Sequence, residues 1–193
     1  MKLARTLIAT VAAGLLATSA MAMTQPEYKA AKDKISADYK VSKKNCDAMK
    51  DNAKDICVKE AKGAEDVAKA ELEAQYKPSD KATNKARVAR ADADYAVAKE
   101  KCDDQTGNAK DVCVKDAKAA HTTAKENAKV AKAEAKPADN TAAKSADVAA
   151  VRKDAAAEKN EANYKAAKER CDAMSGDAKS KCVDDAKRMY GQS

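Results

Sequence analysis

The sequence predicts an all-α protein: three disulfide-stapled antiparallel helical hairpins in an elongated, coiled-coil-like repeat array with a thin core. Three observations predict it. Six Cys fall into three C-x10-C pairs, the segments around those pairs repeat one another, and the remainder is rich in Ala, Lys and Glu with few Gly or Pro. Ala, Lys and Glu are among the strongest helix formers.

The repeat governs the organisation. DYKVSKKNCDAMKDNAKDICVKEAK runs from Asp38, DYAVAKEKCDDQTGNAKDVCVKDAK from Asp94, and NYKAAKERCDAMSGDAKSKCVDDAK from Asn163. The three align without gaps, and an agreement this long and ordered implies duplication. Cys46 and Cys102 lie 56 positions apart, and Cys102 and Cys171 lie 69 apart. The added length is expected near Lys136-Pro137-Ala138-Asp139. Pro78 and Pro137 separate the units, giving a signal segment 1–22 and hairpins over 23–78, 79–137 and 138–193.

Each unit reads as helix, tight turn, helix. The turns are expected at Lys50-Asp51-Asn52, Thr106-Gly107-Asn108 and Ser175-Gly176-Asp177. Gly107 and Gly176 suit the left-handed residue that closes a helix. Asn52, Asn108 and Asp177 suit the N-cap of the helix that follows. Thr24 with Glu27 forms a capping-box pattern at the start of the first helix. The expected helices are 25–50, 53–76, 80–106, 109–136, 141–175 and 178–190.

Narrow apolar stripes support the hairpins. Val88, Ala91, Tyr95, Ala98 and Cys102 recur at alternating steps of three and four, and Ile35, Tyr39, Ser42 and Cys46 repeat much of that pattern. This is the seam of a helix packed on one neighbour. Tyr39, Tyr95 and Tyr164 each precede the first Cys of a unit by seven residues. They read as structural seam residues covering the staple rather than as ligand-stacking rings.

Geometry pairs the cysteines within each unit. On one continuous helix eleven residues rise about 16 Å, whereas bridged Cα atoms lie within roughly 7 Å. The chain must therefore turn back between Cys46 and Cys57, Cys102 and Cys113, and Cys171 and Cys182. A bridge over a loop of this size contributes about 3 kcal/mol in the chain-entropy model. The core needs that help. Beyond residue 22 there is one Leu (Leu72), two Ile, eleven Val, four Met and six Tyr, with no Phe or Trp anywhere.

The N-terminus reads as an export signal: Lys2 and Arg5, an uncharged and mostly apolar run from Leu7 to Ala17, then Ala20-Met21-Ala22. Cleavage is expected after Ala22, placing the chain in the periplasm with no membrane-spanning segment. Removal of Lys2 and Arg5 lowers the formal charge from +7 to +5. Lys is interspersed with Asp and Glu rather than clustered, so nucleic-acid binding is not expected.

The sequence offers no catalytic residues and no cofactor. His121 is the only His, so neither a Cys/His metal site nor a serine–histidine arrangement is expected. The Cys spacing is not the C-x-x-C of redox-active pairs.

The run G-N-A-K-D-V-C-V-K-D-A-K and its companion copies resemble an uncharacterised group of small exported proteobacterial proteins. Those are Ala/Lys-rich and helical, with paired Cys, and some are loosely labelled TolA-like cell-envelope proteins. The resemblance implies the same stapled helices and brings no activity. TolA-like proteins keep an N-terminal anchor and a globular C-terminal domain, from which this chain departs.

The expected function is that of a non-catalytic periplasmic helical repeat protein, an envelope-associated scaffold or interaction module. Its partner would be an envelope protein or a polyanionic envelope component, with self-association left open. Tracts such as Ala131-Lys132-Ala133-Glu134-Ala135-Lys136 also resemble late-embryogenesis-abundant proteins, which implies the alternative of a hydrophilic stress protectant.

Overall fold

A computed structural model of the protein describes residues 23–137 and 140–192; the expected signal segment and its cleavage after Ala22 lie outside them. Among the described residues there are six α-helices and no strand. They are α1 (Gln25–Cys46), α2 (Asp51–Tyr76), α3 (Asp80–Lys101), α4 (Gly107–Ala135), α5 (Thr141–Cys171) and α6 (Gly176–Tyr190).

Local chemistry starts and stops several of these. At α1 the Glu27 carboxylate accepts from the Thr24 backbone N–H at 2.7 Å, while the Glu27 N–H donates back to Thr24 Oγ1 at 3.4 Å. Ser79 Oγ accepts from the Ala82 N–H at the start of α3, and Asn140 Oδ1 accepts from the Ala142 and Ala143 N–H groups at the start of α5. These side chains satisfy amide donors that a helix N-terminus leaves unpaired. Gly191, with φ 65°, closes α6.

Each helix packs on the ones before and after it in the chain. The helices therefore alternate in direction, with α1, α3 and α5 running one way and α2, α4 and α6 the other. Three stapled turns line one edge, and the connections at Pro78 and Pro137 line the opposite edge. The buried apolar side chains are Ala and Cys, with Leu72 the one large aliphatic among them. The core is as thin as the composition requires.

Three bridges close the hairpins: Cys46–Cys57, Cys102–Cys113 and Cys171–Cys182, with Cα separations of 5.6, 5.6 and 5.7 Å. Cys46, Cys102 and Cys171 are fully buried, and no cysteine is free.

The structure corrects the expected turns. The first helix of each unit ends at or beside its Cys, four to five residues before the expected limits of 50, 106 and 175. A staple at the last helical residue leaves the chain only four or five residues in which to reverse. The N-caps of the second helices are Lys50, Thr106 and Ser175, none with a side-chain cap bond, not Asn52, Asn108 and Asp177. Gly107 and Gly176 do adopt positive φ, 59° and 58°, but they open the second helix instead of closing the first. Asp51 takes the same conformation in the first unit, at φ 51°.

The added length of the third unit is also placed differently. The connection grows only slightly, whereas α5 spans 31 residues against 22 for α3, and α4 spans 29 against 26 for α2. Ala- and Lys-rich sequence extends helices more readily than it forms a loop.

Candidate functional site: the stapled edge and the seams between hairpins

The repeated motif resolves into three jobs. The Cys pair staples each hairpin. The Asp after the first Cys and the Lys of Asn/Asp-Ala-Lys then form a clasp across the turn: Lys54–Asp47, Lys110–Asp103 and Lys179–Asp172, each at 2.9 Å. Hydrogen bonding from Lys54 holds the Asp47 carboxyl below the usual range, and Lys110 does the same for Asp103.

The remaining positions join one hairpin to the next. Asn52 Nδ2 donates to the Glu100 backbone carbonyl at 3.0 Å and to Asp104 at 2.7 Å. Asn108 Nδ2 donates to the Glu169 carbonyl at 3.2 Å. In both cases a helix C-terminal carbonyl of the following hairpin gains a donor. Ion pairs flank each bond in the same register: Lys59–Glu100 at 3.7 Å and Lys101–Glu60 at 3.2 Å in the first seam, Lys115–Glu169 at 3.7 Å and Arg170–Asp116 in the second. Asp177 stands where Asn52 and Asn108 stand, and among the described residues no further hairpin packs against it.

The seams differ in the middle. Gly63 of α2 lies so close to α3 that a Cβ there would meet the Ala93 Cβ at 2.8 Å. The register-equivalent residue of α4 is Ala119, itself buried. Beside the first crossing, α2 and α3 frame an open groove of about 640 Å³, lined by Ala64, Val67, Ala68 and Val97 and bounded by charged residues such as Glu60 and Arg90. The equivalent groove between α4 and α5 is about 410 Å³, and Tyr190 from α6 forms part of its wall.

Several of the aromatic residues bridge helices. Tyr39, Tyr95 and Tyr164 are each half-buried. The Tyr95 ring stacks on His121 of α4, with centroids 4.6 Å apart, and His121 Nε2 lies 2.6 Å from the Asp92 carboxylate. This trio joins α3 to α4. Lys62 Nζ sits 5.8 Å from the Tyr39 centroid, and Tyr28 stacks on Tyr76 to join the far ends of α1 and α2. His121 has Glu65 as its register equivalent in the first unit. That carboxylate is only 8% exposed, bound by Lys69 at 2.6 Å and Lys62 at 3.1 Å. The Lys69 hydrogen bond, reinforced by Lys62, holds Glu65 below the usual glutamate range despite its burial.

A third cavity, about 580 Å³, opens where α3, α4 and α5 meet. Glu126, 6% exposed, lines it and binds Lys129 at 2.5 Å, and the Oδ1 of Asn84 is buried there without a hydrogen-bond partner. Among the described residues, no group of three or more His, Cys, Asp or Glu is arranged to hold a metal ion, and no helix is long and apolar enough to cross a membrane.

The inter-hairpin role of Asn52 and Asn108 was missed by sequence reasoning. Aligning repeats shows which positions recur, but not which neighbour each one faces. The one available signal was the change to Asp in the last copy.

Three internal bridges mark a protein of an oxidising compartment. No protein-family model matches the chain, and comparison with curated proteins and with solved structures finds no match.

Proposed function

We propose that the chain is a non-catalytic periplasmic helical repeat protein, serving as an envelope-associated scaffold or interaction module. The observation that carries this reading is the twice-used seam. The same residue types join hairpin to hairpin at both junctions, producing an extended array with many charged side chains left exposed. Such arrays offer long composite surfaces, and each unit contributes one segment. The Leu7–Ala17 run and the oxidised cysteines support a periplasmic location.

Two measurements test it. Fractionated cells should hold the protein in the periplasm, starting at Met23; a cytoplasmic, reduced chain overturns the location. A partner captured from periplasmic extract should bind more weakly when residues 138–193 are deleted, and capture unchanged by that deletion overturns the composite-surface reading.

The alternative of a stress protectant requires a chain that is coil in dilute buffer. Circular dichroism separates the two: a cooperative helical melt opposes it and a coil spectrum supports it. Weak binding of polyanionic envelope components is a further alternative, favoured by the exposed Lys29, Lys32, Lys40 and Lys43 along α1. It predicts binding that collapses with modest salt.

A further inference from the structure

The two ends of the array are each half of a seam. Helices α3 and α5 use one face to pack on the preceding hairpin, and among the described residues no hairpin packs on the equivalent face of α1. Ala37 and Val41 stand where Ala93 and Val97 stand in α3, and Val41 is 61% exposed. At the other end, α6 carries the face that α2 and α4 turn to the following hairpin. There Met189 takes the place of Ala64 and Ala120, and it is 73% exposed.

Val41 and Met189 are the two most exposed large apolar side chains among the described residues. Their counterparts, Val97 and Ala64, line one groove in the first seam. The counterparts in the second seam, Ala166 and Ala120, likewise share a groove.

Charge changes on both ends together. Internal seams pair Lys59 with Glu100 and Lys115 with Glu169. At the open ends the lysine position carries Asp184 and the glutamate position carries Lys44, so the pair is reversed but complementary. Asp185 keeps the acid of Glu60 and Asp116, and Asn45, in the place of Lys101 and Arg170, offers it an amide donor.

We infer that the protein self-associates head to tail, the α6 face of one copy docking on the α1 face of a second copy and continuing the seam pattern. Met189 then covers Val41, and Asp184 pairs with Lys44. An interface of this heterologous kind propagates into open chains unless its rotation closes a ring.

Two features make it weaker than the internal seams. α6 has only 15 residues, and Arg188 occupies the place of Gly63 and Ala119, where a close crossing needs a small side chain. Association is therefore concentration-dependent. The inference supplies the scaffold reading with one partner and rests on it to that extent. If association is absent while the stapled fold stays intact, the partner is lost and the scaffold reading is not.

The test is sedimentation velocity on the full chain purified from the periplasm, over a wide concentration range at low salt. The wild type is expected to shift to dimers and longer species as concentration rises. Val41→Asp disables the head and Met189→Asp disables the tail; both sites are exposed, so the fold is retained, as circular dichroism checks. Each variant alone should be monomeric, and their equimolar mixture should stop at a one-to-one dimer. Arg188→Ala should tighten wild-type association several-fold. A wild type that stays monomeric overturns the inference. So does Met189→Asp associating by itself, or a mixture that does not pair, since either outcome fits a face-to-face contact instead.

Discussion

The seam between the first and second hairpins and the seam between the second and third share their residues at the stapled edge and differ at their centres. Near the edge both use an Asn side chain on a backbone carbonyl, flanked by two ion pairs. At the centre the first seam crosses closely over Gly63, whereas the second has Ala119. Farther along, Arg90–Glu71 in the first is replaced by Lys159 on Asn127 in the second. The edge therefore sets register, because its polar geometry is repeated. The centre sets how closely the helices approach, and it has diverged.

The comparison is sharpened first by removing staples. Replacing Cys171 and Cys182 together by Ala should cost about 3 kcal/mol, and the equivalent change at Cys46 and Cys57 should cost a similar amount because the loops are of equal length. The consequences differ in place. An isolated 15-residue helix is marginal in water, so hydrogen exchange should show α6 opening first in the Cys171/Cys182 variant. Uniform loss of protection across all six helices would contradict this.

Next in size is the close crossing. Gly63→Ala gains about 1 kcal/mol of helix propensity but forces a Cβ into Ala93, and overpacking costs typically 1–3 kcal/mol. Net destabilisation is expected, with recovery on adding Ala93→Gly. Urea melts of both variants measure this, and a stabilised single variant would show that the crossing relaxes freely.

Smaller still are the carbonyl-bound amides. Asn52→Asp and Asn108→Asp each remove a donor and should cost roughly 1 kcal/mol, while Asp177→Asn, against which no further hairpin packs among the described residues, should leave monomer stability unchanged. Equal effects at all three positions would break the distinction between Asn side chains that join two hairpins and the Asp that joins none among the described residues.

A comparable gain is expected at the turn. A non-Gly residue in the left-handed region costs roughly 1 kcal/mol, so Asp51→Gly should stabilise the first hairpin to match Gly107 and Gly176. A lower melting temperature in that variant would contradict the turn geometry.

The smallest effect concerns Glu65. Its folded-state pKa lies below the ordinary glutamate value. Its contribution is therefore full above about pH 5 and fades as the pH falls through and below about 4. Melting temperatures between about pH 6 and 3 should fall less steeply for Glu65→Gln than for the parent chain, and parallel curves would show that the carboxylate contributes nothing.

Much of this was legible in the sequence, for reasons that can be named. The pairing of Cys46 with Cys57 followed from the contrast between helix rise and disulfide reach, and the start of α1 followed from Thr24 and Glu27. The helix ends are not legible in the sequence, because the turn Asp47-Ala48-Met49-Lys50 has no strong breaker. The staple, acting through tertiary geometry, ends the helix where propensity does not. The close crossing at Gly63 is not legible in the repeat, because the second copy has Ala119 at the same place. The stacking of Tyr95 on His121 was likewise hidden, because the two rings lie 26 positions apart in sequence with a turn between them.

The measurement that tests the architecture most directly is disulfide mapping on protein purified from the periplasm with its thiols blocked at lysis. Non-reducing peptide mass spectrometry should find Cys46 linked to Cys57, Cys102 to Cys113 and Cys171 to Cys182, with no free thiol. Links between different units would contradict the hairpin array, and free thiols would remove the staples on which its thin seams depend.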